Sequence, residues 1–129
     1  MAQGFPASTG DVLSAANFNG LVTFTLNSNS TTSYTLTSTD QYQVLVIMTN
    51  ASAKDVLIPT DATYAFPNGT AITVLNTGAA DATIKAVTSG TTTVTSAGAT
   101  SAQPKVAQYK SAVAIKTGTN AWTVVGAVS

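Results

Sequence analysis

The ionic chemistry open to this chain rests on five Asp (Asp11, Asp40, Asp55, Asp61, Asp81) and five Lys (Lys54, Lys85, Lys105, Lys110, Lys116); His, Cys, Arg and Glu are absent. General acid–base catalysis is most often the work of His. Without His, the Ser–His and Cys–His nucleophile pairs are impossible. Ser–Lys and paired-Asp arrangements stay formally open. In Tyr109-Lys110-Ser111 the Lys and Ser are strand neighbours, so their side chains point to opposite faces. Asp55 and Asp61 bracket a predicted strand end and meet only if the intervening loop folds back. Turns recruit Asp for local hydrogen bonding, which accounts for isolated acids without catalysis. The expectation is a protein that is not an enzyme.

Metal and cofactor chemistry is equally thin. Soft and borderline ligands are missing, and the Asp residues form no Asp-x-Asp-x-Asp calcium loop. No metal site and no cofactor is expected. Net charge is zero and no Arg is present to grip phosphate, so a nucleic-acid partner is not expected. No apolar run approaches a membrane span. Met1-Ala2-Gln3-Gly4-Phe5-Pro6 lacks the basic start and apolar stretch of a signal peptide, so synthesis in the cytoplasm without a leader is expected. Sequons at Asn29, Asn50 and Asn68 then read as chance products of a Thr- and Ser-rich chain.

What remains is surface. Charged residues make up 8% of the chain, against about 25% in soluble domains generally. The polar surface must come from 24 Thr, 12 Ser and the amides. Uncharged hydroxyls cost less to bury than charges, so such a surface suits contact with partners. Trp122, on an apolar strand, is expected in the core rather than as a sugar platform. Tyr42 and Tyr64, nearer turns, are the better candidates for exposure.

The elements that must carry these residues read as strands. Residues 1–20 form an expected extended arm ending in one short helical turn, with Ser14 as N-cap and Gly20 as stop. Residues 21–129 form the β-domain. Leu21–Leu26 alternates, and Asn27-Ser28-Asn29-Ser30 reads as a turn. Strands are expected at 33–37, 44–48, 55–59, 71–76, 83–87, 92–95, 109–116 and 121–126. The unbroken apolar run Val44–Met48 reads as covered on both faces. Pro59 ends one strand, and Pro67-Asn68-Gly69 makes a tight turn. Thr117-Gly118-Thr119-Asn120 signals a hairpin. Residues 96–103 read as a loop. The fold class is therefore all-β: a single sandwich or barrel-like domain of about eight or nine short antiparallel strands. No fixed internal period is visible, which argues against a solenoid.

Gly10-Asp11-Val12-Leu13-Ser14-Ala15-Ala16-Asn17-Phe18-Asn19-Gly20-Leu21 resembles a segment near the start of many tailed-phage virion proteins. The rest resembles a β-domain of phage head-decoration and tail-fibre proteins. Its elements run in order: Tyr34-Thr35-Leu36-Thr37 into Asp40, then Val56-Leu57-Ile58-Pro59, then Phe66-Pro67-Asn68-Gly69-Thr70 with Ile72-Thr73-Val74 and Gly78. Gln108-Tyr109 follows, then Lys116-Thr117-Gly118-Thr119-Asn120-Ala121-Trp122, and Val125-Gly126 closes. The resemblance spans nearly the whole chain. It implies a virion structural protein, often trimeric, without catalysis.

Because the domain is nearly the whole chain, a capsid decoration (cement) protein on the outer capsid surface is the leading expectation. Its partners would be further copies of itself, as a homotrimer, and the major capsid protein. Phe5, Pro6, Leu13 and Phe18 are the expected partner anchors. Tyr34, Pro59, Pro67, Gly69, Tyr109, Gly118 and Trp122 are the expected structural positions. The alternatives are a tail-fibre or receptor-binding module and a bacterial surface adhesion module. An ice-binding protein would need regular Thr-x-Thr ranks, and Thr23-x-Thr25 and Thr91-Thr92-Thr93 are too irregular for that.

Overall fold

In the computed structural model of the chain, the described residues are 23–96 and 103–129, together with Ala15. The expected arm, its anchors Phe5, Pro6, Leu13 and Phe18, and most of the 96–103 loop lie outside them. So does the short helical turn, apart from Ala15, which is helical and exposed.

Ten strands form among the described residues: β1 (Thr25–Asn29), β2 (Ser33–Thr35), β3 (Val44–Met48), β4 (Lys54–Ile58), β5 (Ala71–Asn76), β6 (Ala82–Ala86), β7 (Thr93–Ser96), β8 (Lys105–Val106), β9 (Lys110–Gly118) and β10 (Ala121–Gly126). They make two sheets, ordered β1-β3-β5-β9-β10-β7 and β2-β4-β6-β8. The expected β class is what the chain adopts, but the two sheets are mixed, with parallel as well as antiparallel pairings, where antiparallel strands alone were expected. β1, β3 and β5 run parallel in one sheet, and β2, β4 and β6 run parallel in the other. The chain crosses from sheet to sheet with every strand, winding three flattened coils. β9 and β10 then add an antiparallel hairpin beside β5, β7 pairs parallel with β10 at the far edge, and β8 runs antiparallel to β6.

This winding is the solenoid-like path that the missing period argued against. The reason is in the register. Thr25 lies beside Val44, 19 positions on, whereas Leu45 lies beside Thr73, 28 positions on. Coils of unequal length stack their strands without leaving a repeat in the sequence. Two-residue alternation still governs each strand. Val44, Val46 and Met48 of β3, Val56 and Ile58 of β4, Ile72 and Val74 of β5, and Ile84 of β6 point between the sheets and form one core with Trp122 and Val124. At about 25 cal/mol per Å² of apolar area, that shared layer is what holds the two sheets together.

β1 departs from its expected position. Asn27, Ser28 and Asn29, read as a turn, are strand, because pairing with β3 supplies the backbone partners and Asn27 finds side-chain partners inside. The Pro67 turn forms as expected: Gly69 takes φ +90°, where a side chain would be strained, and Thr70 N–H donates to Pro67 O at 3.1 Å. In the β9–β10 hairpin, Asn120 rather than Gly118 adopts the positive φ, at +48°.

Candidate interaction surface

The ionisable groups are mostly spent on holding the coils together. Lys116, on the inward face of β9, is buried, and its Nζ lies 2.6 Å from Asp61 Oδ1. It also donates to Phe66 O at 3.2 Å and stands 5.8 Å from the centre of the Trp122 ring. Asp61 Oδ2 accepts from Asn120 N–H at 3.1 Å, and Asp61 N–H donates to Asn120 Oδ1 at 2.8 Å. The loop between β4 and β5 is thus pinned to the β9–β10 hairpin over the edge-on pairs Tyr64–Phe66 and Phe66–Trp122.

The Lys116 ammonium bonding to Asp61, helped by the Asn120 N–H, holds the Asp61 carboxyl below the usual carboxylate range. A depressed folded pKa contributes stability above the unfolded value near 4 and loses it as pH falls through the folded value. Urea midpoints measured from pH 6 down to pH 2 should therefore fall more steeply for the native chain than for Asp61→Asn; parallel curves would show that the pair does not couple to folding.

Lys54 is the second buried amine, donating to Ala80 O at 2.6 Å and Ser52 O at 3.3 Å. Burial pushes its pKa down, and nearby Asp81 partly opposes this. Asp55 pairs with Lys85 at 2.8 Å on the outer face of the four-stranded sheet. Asp55 and Asp61 therefore take separate partners. Among the described residues no three His, Cys, Asp or Glu gather as metal ligands. No helix there is long and apolar enough to cross a membrane. A cleft of about 240 Å³ lies beside β6 and β7, lined by Lys85, Ser89, Gly90, Thr92 and Val94 among others. It is below the ~300 Å³ at which small-molecule sites usually begin, and Lys85 in it is already paired.

The other expected positions are distributed as follows. Trp122 is buried, and Pro59 is buried at the end of β4. Tyr34 points inward from β2; burial and the neighbouring Asp40 raise its pKa. Tyr42 is exposed as expected. Tyr64 is half-buried instead, because its ring packs on Phe66 and its hydroxyl donates to Gln41 Oε1. Tyr109 falls just before β9 rather than within it, at φ +61° and 75% exposed. The buried acid and two buried lysines escape sequence reasoning, since charged residues default to solvent. Lys116 shares its face with Ala112 and Ala114 opposite the larger Val113 and Ile115, so alternation alone points it to solvent.

That face of β9 is the buried one, so Val113 and Ile115 point outward. The register then aligns an uncharged row across five strands, apolar but for Thr73: Leu26 beside Leu45, Leu45 beside Thr73, Thr73 beside Val113, and Val113 beside Val125. Ile47 and Leu75 form the next row with Ser28 and Ser111. Comparison with protein-family models, curated proteins and solved structures finds no match. The outer face of the six-stranded sheet is the most extensive candidate for function among the described residues. Its most exposed apolar side chains are Leu26, at 66%, and Val125, at 42%, and exposed apolar surface of this kind is where contacts form.

Proposed function

We propose that the chain is a structural virion protein, a capsid decoration protein that binds the outer face of the major capsid protein lattice as a homotrimer and stabilises the head. The observation that carries the reading is the uncharged outer face of the six-stranded sheet, where Leu26, Leu45, Ile47, Leu75, Val113 and Val125 stand among Thr and Ser, a surface fitted to contact rather than chemistry. The ordered sequence resemblance to phage head and tail β-domains supplies the setting. The protein acts by adding buried area between neighbouring subunits. A standard interface buries ~1,600 Å², and a trimer engaging several subunits multiplies this through avidity. No catalytic step is assigned.

Light scattering of the isolated protein should give about 39 kDa, three times the 13.0 kDa chain. A monomer at micromolar concentration would sink the trimer. Sedimentation with heads assembled from the major capsid protein of the same genome should carry the protein down and delay thermal rupture of the heads. Immunogold labelling confined to the tail would instead select a receptor-binding module, a reading favoured by the exposed rings of Tyr42 and Tyr109. Labelling of cell surfaces without virions would select a bacterial adhesion module.

A further inference from the structure

We infer that the outer face of the six-stranded sheet is where one copy of this chain meets another. The inference rests on the reading of a self-assembling structural protein and names the surface that does it.

Three observations converge. The first is strand composition. All five residues of β3 are apolar, the pattern of a strand covered on both faces. Its inward residues Val44, Val46 and Met48 are covered by the core, while Leu45 and Ile47 stay partly open. The described strands form two sheets and no third layer, so the second cover that this pattern asks for is one a further copy can supply.

The second observation is where the charges lie. Asp55 and Lys85 face outward from the other sheet, and Lys105 sits on that sheet's edge strand. Asp40, Lys54 and Lys116 are buried. Asp61 belongs to the pinned loop, Asp81 to a turn, and Lys110 to the first position of β9 on the inward register. No described charge points out from the six-stranded sheet. A charge-free face gives a charged partner nothing to select. It meets another part of an identical face without like-charge repulsion, as each contact in a ring requires.

The third is size and shape. Six strands ~4.8 Å apart and ~17 Å long form a plane of about 500 Å². Side-chain relief brings its accessible area toward ~800 Å², which a closed ring divides between two neighbours, two small contacts per copy that close on each other. The uncharged row ends in its most exposed residues, Leu26 on β1 and Val125 on β10, toward opposite edges of the sheet. A closed ring brings opposite sides of one face to successive neighbours, so each copy's Leu26 side meets the next copy's Val125 side.

The test is the double variant Leu26→Lys/Val125→Lys in the full chain, with Thr35→Lys on the opposite sheet as control. Both target side chains are already solvent-facing, so folding is spared, as circular dichroism will show. Light scattering across 1–100 µM (about two decades around the affinities expected of such an interface) should show a native multimer. The double variant should dissociate at least tenfold more readily, and the control should keep the native mass. A double variant that keeps the native mass overturns the face while leaving self-assembly standing. A double variant that keeps its mass but no longer binds heads also overturns the inference and gives the face to the capsid. A native chain that is monomeric throughout overturns both the face and the assembly reading.

Discussion

Gly78→Ala should leave the chain largely unfolded at 25 °C. An ideal Cβ built on Gly78 would lie 1.8 Å from Asn50 O and 2.7 Å from Asn50 C, with Lys54 Nζ at 2.9 Å. The first two are backbone atoms, and that backbone is held on every side. Asn50 Nδ2 donates to Ser30 O at 2.8 Å, and Asn50 Oδ1 accepts from Ser52 N–H at 2.8 Å. Gly78 N–H donates to Asn76 Oδ1 at 3.0 Å and to Met48 O at 3.2 Å. The corner of the third coil therefore lies directly on the corner of the second, closer than any side chain allows. Relief means lifting one coil from another across the shared core. Single substitutions beyond about 4 kcal/mol are rare and arise from this kind of forced displacement. Against a total stability of about 5–15 kcal/mol, the variant should lose most of its cooperative urea transition. A Gly78→Ala midpoint within error of the native one would show that the coil corners are not stacked as tightly as this.

That corner also shows what a sequence can and cannot yield. Gly78 enters the sequence reading only as one position of the ordered resemblance, and its necessity depends on which coil lies underneath. The strands Val44–Met48, Ala71–Asn76 and Ala121–Gly126 were legible to the residue, because alternation and apolar runs are local signals. Their parallel partners were not, since coil lengths vary with the connecting loops. β1 was displaced for a related reason. Asn27-Ser28-Asn29 has turn propensity, and the tertiary ladder to β3 overrides it. The outward face was half legible. Two faces of β9 could be sorted by alternation, but which one the core takes depended on Trp122 of β10. Trp122 and Val124 take the buried side beside Lys116 and Ala114, which leaves Val113 and Ile115 outside.

The far end of the winding carries the second large effect. The first coil, β1 and β2, has no further coil to cover it among the described residues, and an open coil end must be made polar without losing order. Asp40, in the 3₁₀ turn Ser38–Gln41, does this from inside. Its carboxylate is 1% exposed. Oδ1 accepts from Asn27 Nδ2 at 2.9 Å, and Oδ2 accepts from the Tyr34 hydroxyl at 2.7 Å and from Thr37 N–H at 2.8 Å. Asn27 Nδ2 also donates to the Tyr34 hydroxyl at 2.8 Å. One acid thus ties β1, β2 and the chain entering β3. Asp40→Ala removes the common acceptor, strands the Tyr34 hydroxyl and Thr37 N–H, and opens a space beside them. A donor stranded in the interior costs about 1–3 kcal/mol, but Tyr34 is half-buried and Thr37 exposed, so water takes up part of this and a loss of about 2 kcal/mol is expected from urea unfolding. The damage should be local first. β1 and β2 are edge strands, and β1 carries exposed Leu26. Hydrogen exchange should show their amides losing protection at denaturant concentrations where β5 and β9 keep theirs. Asp40→Asn, which keeps the shape and one oxygen, should recover about half of the loss. If exchange instead accelerates uniformly across both sheets, Asp40 supports the whole fold and not the end of the coil. A freed β1 also exposes an unpaired strand edge, so the Ala variant should aggregate on warming well before the native chain does.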